Sequence, residues 1–185
     1  MNIYQLIYLF WFLSEIILNR LVRSGKTDKK STDKNTEIYL WVTIIVSITI
    51  SVFISLNYTL PILLNGQLAL IGTIIIIIGI IIRFIAIKQL GRFFTVNVTI
   101  RDEHKLIQSG FYKYLRHPSY TGSLLSFFGF GLSLNNWLSL VIVFLPILFA
   151  FIYRMNIEEN VLSEQFGKQY QEYISKTKRI IPFVY

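Results

Sequence analysis

A short polar stretch inside an otherwise apolar chain carries many of the side chains that could do chemistry. Residues 110–122 read GFYKYLRHPSYTG and combine a histidine, three tyrosines, two basic residues, a proline and two glycines. Pro118 lacks a backbone donor and biases His117 toward extended geometry, so we expect a loop that enters a helix near Ser119. Histidine and tyrosine side chains on such a loop are suited to holding a small polar ligand.

A second polar stretch follows the last long apolar run. Arg154 and Glu158 are four residues apart and would share one face of a helix, with Glu159 turned about 100° away. Arg154 can present a bidentate fork to an oxyanion, and Glu158 can accept from an ammonium or a ribose. Glu159 or a histidine is the candidate base for an acceptor that must lose a proton. The plainer alternatives are a surface ion pair worth about 0.3 to 0.5 kcal/mol and a histidine that only caps a helix.

The elements that must position these residues are hydrophobic. The chain is 54% hydrophobic with a mean hydropathy of +0.55, which indicates an integral membrane protein. The sequence predicts an all-α fold with about five transmembrane helices, since a span needs about 20 apolar residues. We divide it into an N-terminal membrane region, 1–87, and a second region, 88–185, that contains both polar stretches. The predicted spans are 3–21, 38–56, 68–87, 120–134 and 137–153.

The net charge is +8, and the basic residues are concentrated in alternate connections of the predicted helices. Basic residues crowd the first loop, 23–37, the segment after the third helix, and the tail, whereas the connections 57–67 and 135–136 carry no charge. The positive-inside rule therefore places the N-terminus outside and the C-terminus and the site in the cytoplasm. This distribution predicts contact with membrane lipids and no nucleic-acid partner. The absence of cysteine excludes disulfides and thiolate metal sites, and we predict no metal.

Several residues inside the apolar runs call for an explanation. Glu15 lies near the middle of the first predicted helix, where a carboxylate is costly unless it is paired, held neutral or lining a substrate path. Gly72 and Gly79 share one helix face and should let a neighbouring backbone approach closely.

The two-residue link at 135–136 predicts an antiparallel hairpin of the fourth and fifth helices. This hairpin would bring His117 close to Arg154.

The motifs of the second half of the chain resemble those of the isoprenylcysteine carboxyl methyltransferase family. The resemblance covers residues 97–182 and rests on GFY, on RHPSYTG, on the spaced charges and aromatics of 154–173 and on the closing TKRIIP. It implies an integral membrane enzyme that uses S-adenosylmethionine, releases S-adenosylhomocysteine and builds its cofactor pocket from cytoplasmic segments. A G-x-G-x-x-G turn after a strand, which a Rossmann methyltransferase would have, is absent from the sequence.

The resemblance also implies roles for individual residues. Arg154 would face the methyl acceptor and act in catalysis, with Glu159 as the candidate base where one is needed. Position 97 carries an asparagine where eukaryotic members have a glutamine. The implied cofactor-binding residues are Asn97, His104, Lys105, Leu106, Ile107, Tyr112, His117, Pro118, Ser119, Tyr120 and Glu158.

The acceptor is expected to be lipophilic and to reach the site from the bilayer between helices. A carboxylate or other oxyanion is favoured by Arg154, as in an isoprenylcysteine-like, prenylated, small isoprenoid or phenolic molecule. A phospholipid N-methyltransferase is the first alternative, since its motifs are similar. An NADPH-dependent protein like the sterol reductases and a non-catalytic membrane interaction protein are the others.

Overall fold

The computed structural model describes residues 3–21, 36–64, 67–94, 105–182 and 184–185. The regular structure of this part is helical without a strand, which confirms the predicted all-α class. Two short 3-10 helices, Gly91–Phe93 and Gly110–Lys113, lie between the third and fourth α-helices. The α-helices of the described part are α1 Ile3–Leu21, α2 Thr36–Asn57, α3 Leu68–Leu90, α4 Pro118–Ser133, α5 Trp137–Phe166 and α6 Lys168–Lys176.

Helices α3 and α4 pack with their backbones close together, and glycines allow this. A Cβ on Gly79 would lie 2.6 Å from the carbonyl oxygen of Gly122, and one on Gly129 would lie 2.6 Å from that of Gly72. Only hydrogen atoms fit between backbones this close. The predicted close approach at Gly72 and Gly79 is therefore confirmed.

A short turn joins α4 to α5 and fixes the hairpin that the sequence predicts. Asn136 caps α5 by accepting a hydrogen bond from the Ser139 amide at 3.0 Å. Asn135 adopts a left-handed φ of 47°, and its side-chain oxygen accepts from the amides of Ile62 and Leu63. The turn is thus anchored to the segment that follows α2. Helix α2 itself packs along α5, where the Ser139 hydroxyl donates to the Ser51 carbonyl at 2.7 Å.

The polar tail does not begin a new helix at Arg154, as the predicted boundary at 153 implied. Helix α5 continues without a break to Phe166, because no helix-breaking residue separates its apolar and polar parts. Gly167 then ends α5 with a φ of 51° and starts α6. A non-glycine residue rarely adopts this conformation, so a glycine at position 167 suits the end of α5. One continuous helix therefore connects the apolar part of α5 to its polar part.

Among the described residues, three helices are long and apolar enough to cross a bilayer, namely α2, α3 and α5. The apolar part of α1, Ile3–Leu18, and the 16 residues of α4 are shorter than the about 20 residues of a perpendicular span. The count of five spans, the orientation of the termini and the division at residues 87 and 88 stay predictions. Most of the basic loop 23–37 lies outside the described residues.

Candidate active site

The polar loop before α4 is bound by the polar tail along a short run of backbone hydrogen bonds. The amide of Arg116 donates to the carbonyl of Lys178 at 2.8 Å, and the amide of His117 donates to the carbonyl of Arg179 at 3.0 Å. Helix α6 adds a side-chain contact, in which the Tyr173 hydroxyl donates to the Tyr112 carbonyl at 2.7 Å. The two polar stretches singled out in the sequence are therefore one structural unit.

We call this unit of loop, tail and the polar part of α5 the polar cluster. Glu159 lies at its centre, on α5 beyond the apolar segment. Its Oε1 accepts from Arg116 Nε at 2.9 Å and lies 3.1 Å from His117 Nε2. Its Oε2 accepts from Arg179 Nη2 at 2.7 Å. Burial opposes ionisation of Glu159, but the hydrogen bonds from His117, Arg116 and Arg179 outweigh it and lower the pKa to about 2.

This environment bears on the role of Glu159. A carboxylate with so low a pKa is a weak proton acceptor near neutral pH, and both of its oxygens already accept hydrogen bonds. Its partner Arg179 is affected in the opposite direction. Burial would lower the pKa of that guanidinium, but the hydrogen bond to Glu159 raises it. The geometry favours Glu159 as the anchor of loop and tail over the base considered from the sequence.

Glu158 begins a second chain of contacts that leads toward the membrane. The Tyr120 hydroxyl donates to Glu158 Oε2 at 2.8 Å, and Arg154 Nε donates to the Tyr120 hydroxyl oxygen at 3.0 Å. Arg154 Nη1 also donates to the hydroxyl of Thr36 on α2. The His117 ring stacks on Tyr120 with centroids 5.3 Å apart, and its Nδ1 lies 3.7 Å from Glu158 Oε2. The predicted proximity of His117, Glu158 and Arg154 is therefore present.

A cavity lies on the membrane side of this chain, enclosed by the first five α-helices. It has about 700 Å³ of empty space including its mouth. Tyr120 and Arg154 line it, so the same two residues face both the cavity and Glu158. The full lining consists of Trp11, Phe12, Glu15, Glu37, Leu40, Trp41, Ile44, Arg83, Phe94, Tyr120, Ser123, Phe127, Phe151 and Arg154.

Glu15 is paired, as one of the interpretations required, and it also lines this cavity. Its Oε2 lies 2.8 Å from Arg83 Nη2 of α3, and each side chain is 14% exposed. Arg83 Nη1 donates to the hydroxyl of Ser119 at 3.0 Å. Arg83 has no partner or role among the sequence predictions, although a lone arginine and a lone glutamate in two neighbouring apolar helices signal such a pair.

The remaining predicted residues have different surroundings. Pro118 and Ser119 are buried in the first turn of α4, and Tyr112 is buried in the second 3-10 helix. Lys105 is exposed and Leu106 and Ile107 are half-buried, in a segment without regular structure. Asn97 and His104 lie outside the described residues.

Arg116, Arg179 and Tyr170 are candidate site residues that sequence reasoning missed. Tyr170 is 1% exposed, and its hydroxyl has no hydrogen-bond partner in the part of the chain that the structure describes. Burial, followed by the Glu159 and Glu158 carboxylates, raises the pKa of Tyr170. Within the same residues, no cluster of three or more histidine or acidic side chains could hold a metal ion.

Comparison with known proteins relates this site to membrane methyltransferases. The chain is 38% identical over 116 residues to a probable protein-S-isoprenylcysteine O-methyltransferase of Oryza sativa subsp. indica, covering 62% of this chain and 61% of the relative. It is 39% identical over 115 residues to protein-S-isoprenylcysteine O-methyltransferase B of Arabidopsis thaliana, covering 61% and 58%. The chain thus spans about three fifths of the length of these relatives.

The fold has a similar counterpart among solved structures. The eukaryotic intramembrane Ras methyltransferase ICMT, an isoprenylcysteine carboxyl methyltransferase, matches 98% of this chain and 65% of its own with a TM-score of 0.70 and 25% identity. These matches confirm the resemblance found in the motifs, and together with the apolar helices they indicate an integral membrane protein. The profile of the phospholipid methyltransferase family matches residues 68–169, from α3 to the start of α6. The chain therefore belongs to the phospholipid methyltransferase family.

Proposed function

We propose that the protein is an S-adenosylmethionine-dependent membrane methyltransferase whose acceptor is the carboxylate of a lipophilic, isoprenylcysteine-like molecule. The observation that carries this proposal is the chain of hydrogen bonds from Glu158 through Tyr120 to Arg154. It joins the polar cluster, where a charged cofactor can bind, to the cavity, where a lipophilic acceptor can bind. Names of the relatives given above support the same chemistry.

The residues of the polar cluster suit S-adenosylmethionine, which supplies an electrophilic methyl group when bound. The side chain of Glu158 is 30% exposed, so it can accept hydrogen bonds from an ammonium or a ribose. The buried hydroxyl of Tyr170, which has no partner among the described residues, offers a further hydrogen bond. The His117 and Tyr120 rings supply a stacked aromatic wall. We assign cofactor contacts to this cluster and to Tyr112, and the roles of 105–107 stay predictions.

The cavity suits an acceptor that is already anionic. Arg154 can bind a carboxylate through its planar guanidinium and hold one oxygen in line for transfer. A carboxylate is ionised near neutral pH, so its methylation needs no base, whereas an ammonium or a phenol must first lose a proton. The contacts that Glu159 makes with Arg116, His117 and Arg179 make it a poor base, which favours the carboxylate acceptor. Placement and electrostatics would then supply most of the acceleration.

A phospholipid amine is the second candidate acceptor. Glu15 and Glu37 also line the cavity, and carboxylates would suit an ammonium headgroup. With this alternative the cofactor site is unchanged, but the cavity must bind a cationic headgroup in place of an anionic carboxylate. The two acceptors can therefore be separated by one assay.

The test is methyl transfer by the full chain purified in detergent. With labelled S-adenosylmethionine, we expect label to enter an S-farnesyl acid as a base-labile methyl ester and phosphatidylethanolamine to remain unlabelled. Arg154→Lys should lose most of this transfer, because a single ammonium cannot replace the bidentate guanidinium. Transfer to phosphatidylethanolamine alone would favour the amine. Transfer to neither acceptor, with the protein shown to be folded, would contradict both.

A further inference from the structure

We propose that Thr36, the first residue of α2, is a positioning residue for Arg154. Its hydroxyl fixes the direction in which the Arg154 guanidinium points, and we assign it no contact of its own with the acceptor or the cofactor. The inference rests on the proposed function for the role of Arg154. Its evidence is the set of contacts that hold the Arg154 side chain, whatever the acceptor is.

Two hydroxyl groups from two different helices hold the guanidinium of Arg154. Nε donates to the Tyr120 hydroxyl oxygen of α4 at 3.0 Å, and Nη1 donates to the Thr36 hydroxyl oxygen of α2 at 3.2 Å. A guanidinium is planar and rigid, so contacts at two of its nitrogens fix its plane as well as its position. With the Tyr120 contact alone, the group could turn about that one hydrogen bond.

The contact between Thr36 and Arg154 is shielded from water. Thr36 is 7% exposed and Arg154 is 3% exposed. A hydrogen bond from a charged donor is about twice as strong as one between neutral groups, and a low local dielectric strengthens it further. Water also has little access to replace the hydroxyl. A guanidinium that lost this acceptor would therefore turn toward another one instead of keeping its direction.

The helices that carry the two residues are packed against each other. Tyr39 lies three residues after Thr36 and contacts Tyr153, the neighbour of Arg154 on α5, with ring centroids 6.1 Å apart. Arginine is among the side chains with the most rotamer freedom, whereas threonine is β-branched and has a restricted χ1. The stiffer side chain, on a helix held in place, therefore restrains the more flexible one.

This role predicts that turnover and acceptor affinity respond differently to the loss of the Thr36 hydroxyl. The positive charge of Arg154 attracts a carboxylate in any orientation of the guanidinium, because Coulomb attraction depends on distance. In-line methyl transfer also requires aligned atoms, and a misplacement of about 1 Å can cost about 100-fold in rate. Loss of the hydroxyl should therefore lower turnover much more than it raises the acceptor KM.

Two substitutions of Thr36 test the prediction in the full chain purified in detergent, with labelled S-adenosylmethionine and the S-farnesyl acid. Thr36→Val keeps the branched shape and replaces the hydroxyl by a methyl group. It should lower turnover at saturating acceptor by about tenfold, the effect of one hydrogen bond to a charged group. The acceptor KM should rise by no more than about threefold, and cofactor affinity should stay at the wild-type value. Thr36→Ser keeps the hydroxyl and should restore most of the turnover.

A double substitution separates positioning from a purely structural role. In the Arg154→Ala background, Thr36→Val should have no further effect on turnover, because no guanidinium is left to position. The matched control is Thr43→Val, also on α2, where the hydroxyl donates to the Tyr39 carbonyl of its own helix at 2.8 Å. This control should keep wild-type turnover. Thermal unfolding midpoints show which variants are folded, and Thr36→Ala takes the place of Thr36→Val if the latter is not.

The outcomes distinguish this inference from the proposed function. Wild-type turnover in folded Thr36→Val, an equal loss in Thr36→Ser, or an undiminished effect of Thr36→Val in the Arg154→Ala background would overturn the positioning role alone. A raised acceptor KM with unchanged turnover would overturn it as well. Folded wild type that transfers no methyl group to the acid would contradict the proposed function, and this inference with it.

Discussion

The polar cluster around Glu159 and the cavity beside Arg83 both contain a shielded arginine–carboxylate pair, but they differ in how completely the donors are used. Both oxygens of Glu159 accept hydrogen bonds, from side chains of the loop and of the tail. In the cavity, Arg83 Nε, Trp11 Nε1 and Ser123 Oγ have no partner among the described residues. A satisfied network holds structure together, whereas an incomplete one indicates a binding site.

The same contrast separates two adjacent residues of α5. Glu159 has a side chain that is 10% exposed and fixed by cationic partners, whereas that of Glu158 is 30% exposed. Residues next to each other on a helix point about 100° apart, so one faces the interior of the cluster and the other remains accessible. We therefore expect substitutions at 159 to act on stability and those at 158 to act on binding.

The largest effect is expected from Glu159→Gln, which leaves Arg116 and Arg179 without their carboxylate. Removing one partner of a buried ion pair costs about 3 to 5 kcal/mol of the free energy of unfolding. Thermal unfolding in detergent, followed by circular dichroism, measures the loss. Glu164→Gln, at an exposed position of the same helix, is the control and should leave the midpoint unchanged. Equal midpoints for the two variants would show that the cluster does not anchor the tail.

The pH dependence of the unfolding midpoint tests the role of Glu159 further. The pKa of Glu159 is lowered from 4.5 to about 2 in the folded protein, so its contribution to stability is complete above pH 4.5. It is then lost as the pH falls toward about 2. The difference in midpoint between wild type and Glu159→Gln should be constant above pH 4.5 and should shrink below it. A difference that stays constant down to pH 2.5 would be incompatible with the lowered pKa.

The sequence was sufficient to predict the parts of this contrast that depend on local pattern. Apolar run lengths indicated the helices, the link at 135–136 predicted the hairpin, and that hairpin brought His117 near Arg154. The cationic contacts of Glu159 were not predictable in this way. Arg116 and Arg179 lie 43 and 20 residues from Glu159 in sequence, and spacing does not select them from the other basic residues. The unpartnered donors require coordinates, because partnership is a property of the folded state.

Substitution of Arg154 tests the membrane end of the chain of contacts. Arg154→Ala should lower turnover by about 100-fold, the usual effect of losing one group that stabilises developing charge. Affinity for S-adenosylmethionine should change little, because Arg154 reaches Glu158 only through the Tyr120 hydroxyl. Turnover under saturating acceptor and calorimetric titration of the cofactor separate the two. If Arg154→Ala lost affinity for S-adenosylmethionine but, once saturated, turned over at the wild-type rate, this assignment would be wrong.

Substitution of His117 tests the other end of this chain of contacts, with a smaller expected effect. His117→Ala removes the stacked partner of Tyr120 and a contact of Glu159, so cofactor affinity should fall by about tenfold, the equivalent of one hydrogen bond. Lys113→Ala, exposed on the same loop, provides the control. If both variants bound the cofactor as wild type does, the imidazole would have no part in the cofactor site.

Direct titration of the purified chain with S-adenosylmethionine tests the central claim, that the loop and the tail form one cofactor site beside the membrane cavity. We predict saturable binding of S-adenosylmethionine and S-adenosylhomocysteine, no binding of NADPH, and a loss of at least about tenfold in affinity in Glu158→Ala, whose carboxylate is the accessible one. Folded wild-type protein that binds neither S-adenosyl compound, or a Glu158→Ala variant that binds them as tightly as wild type, would contradict the account.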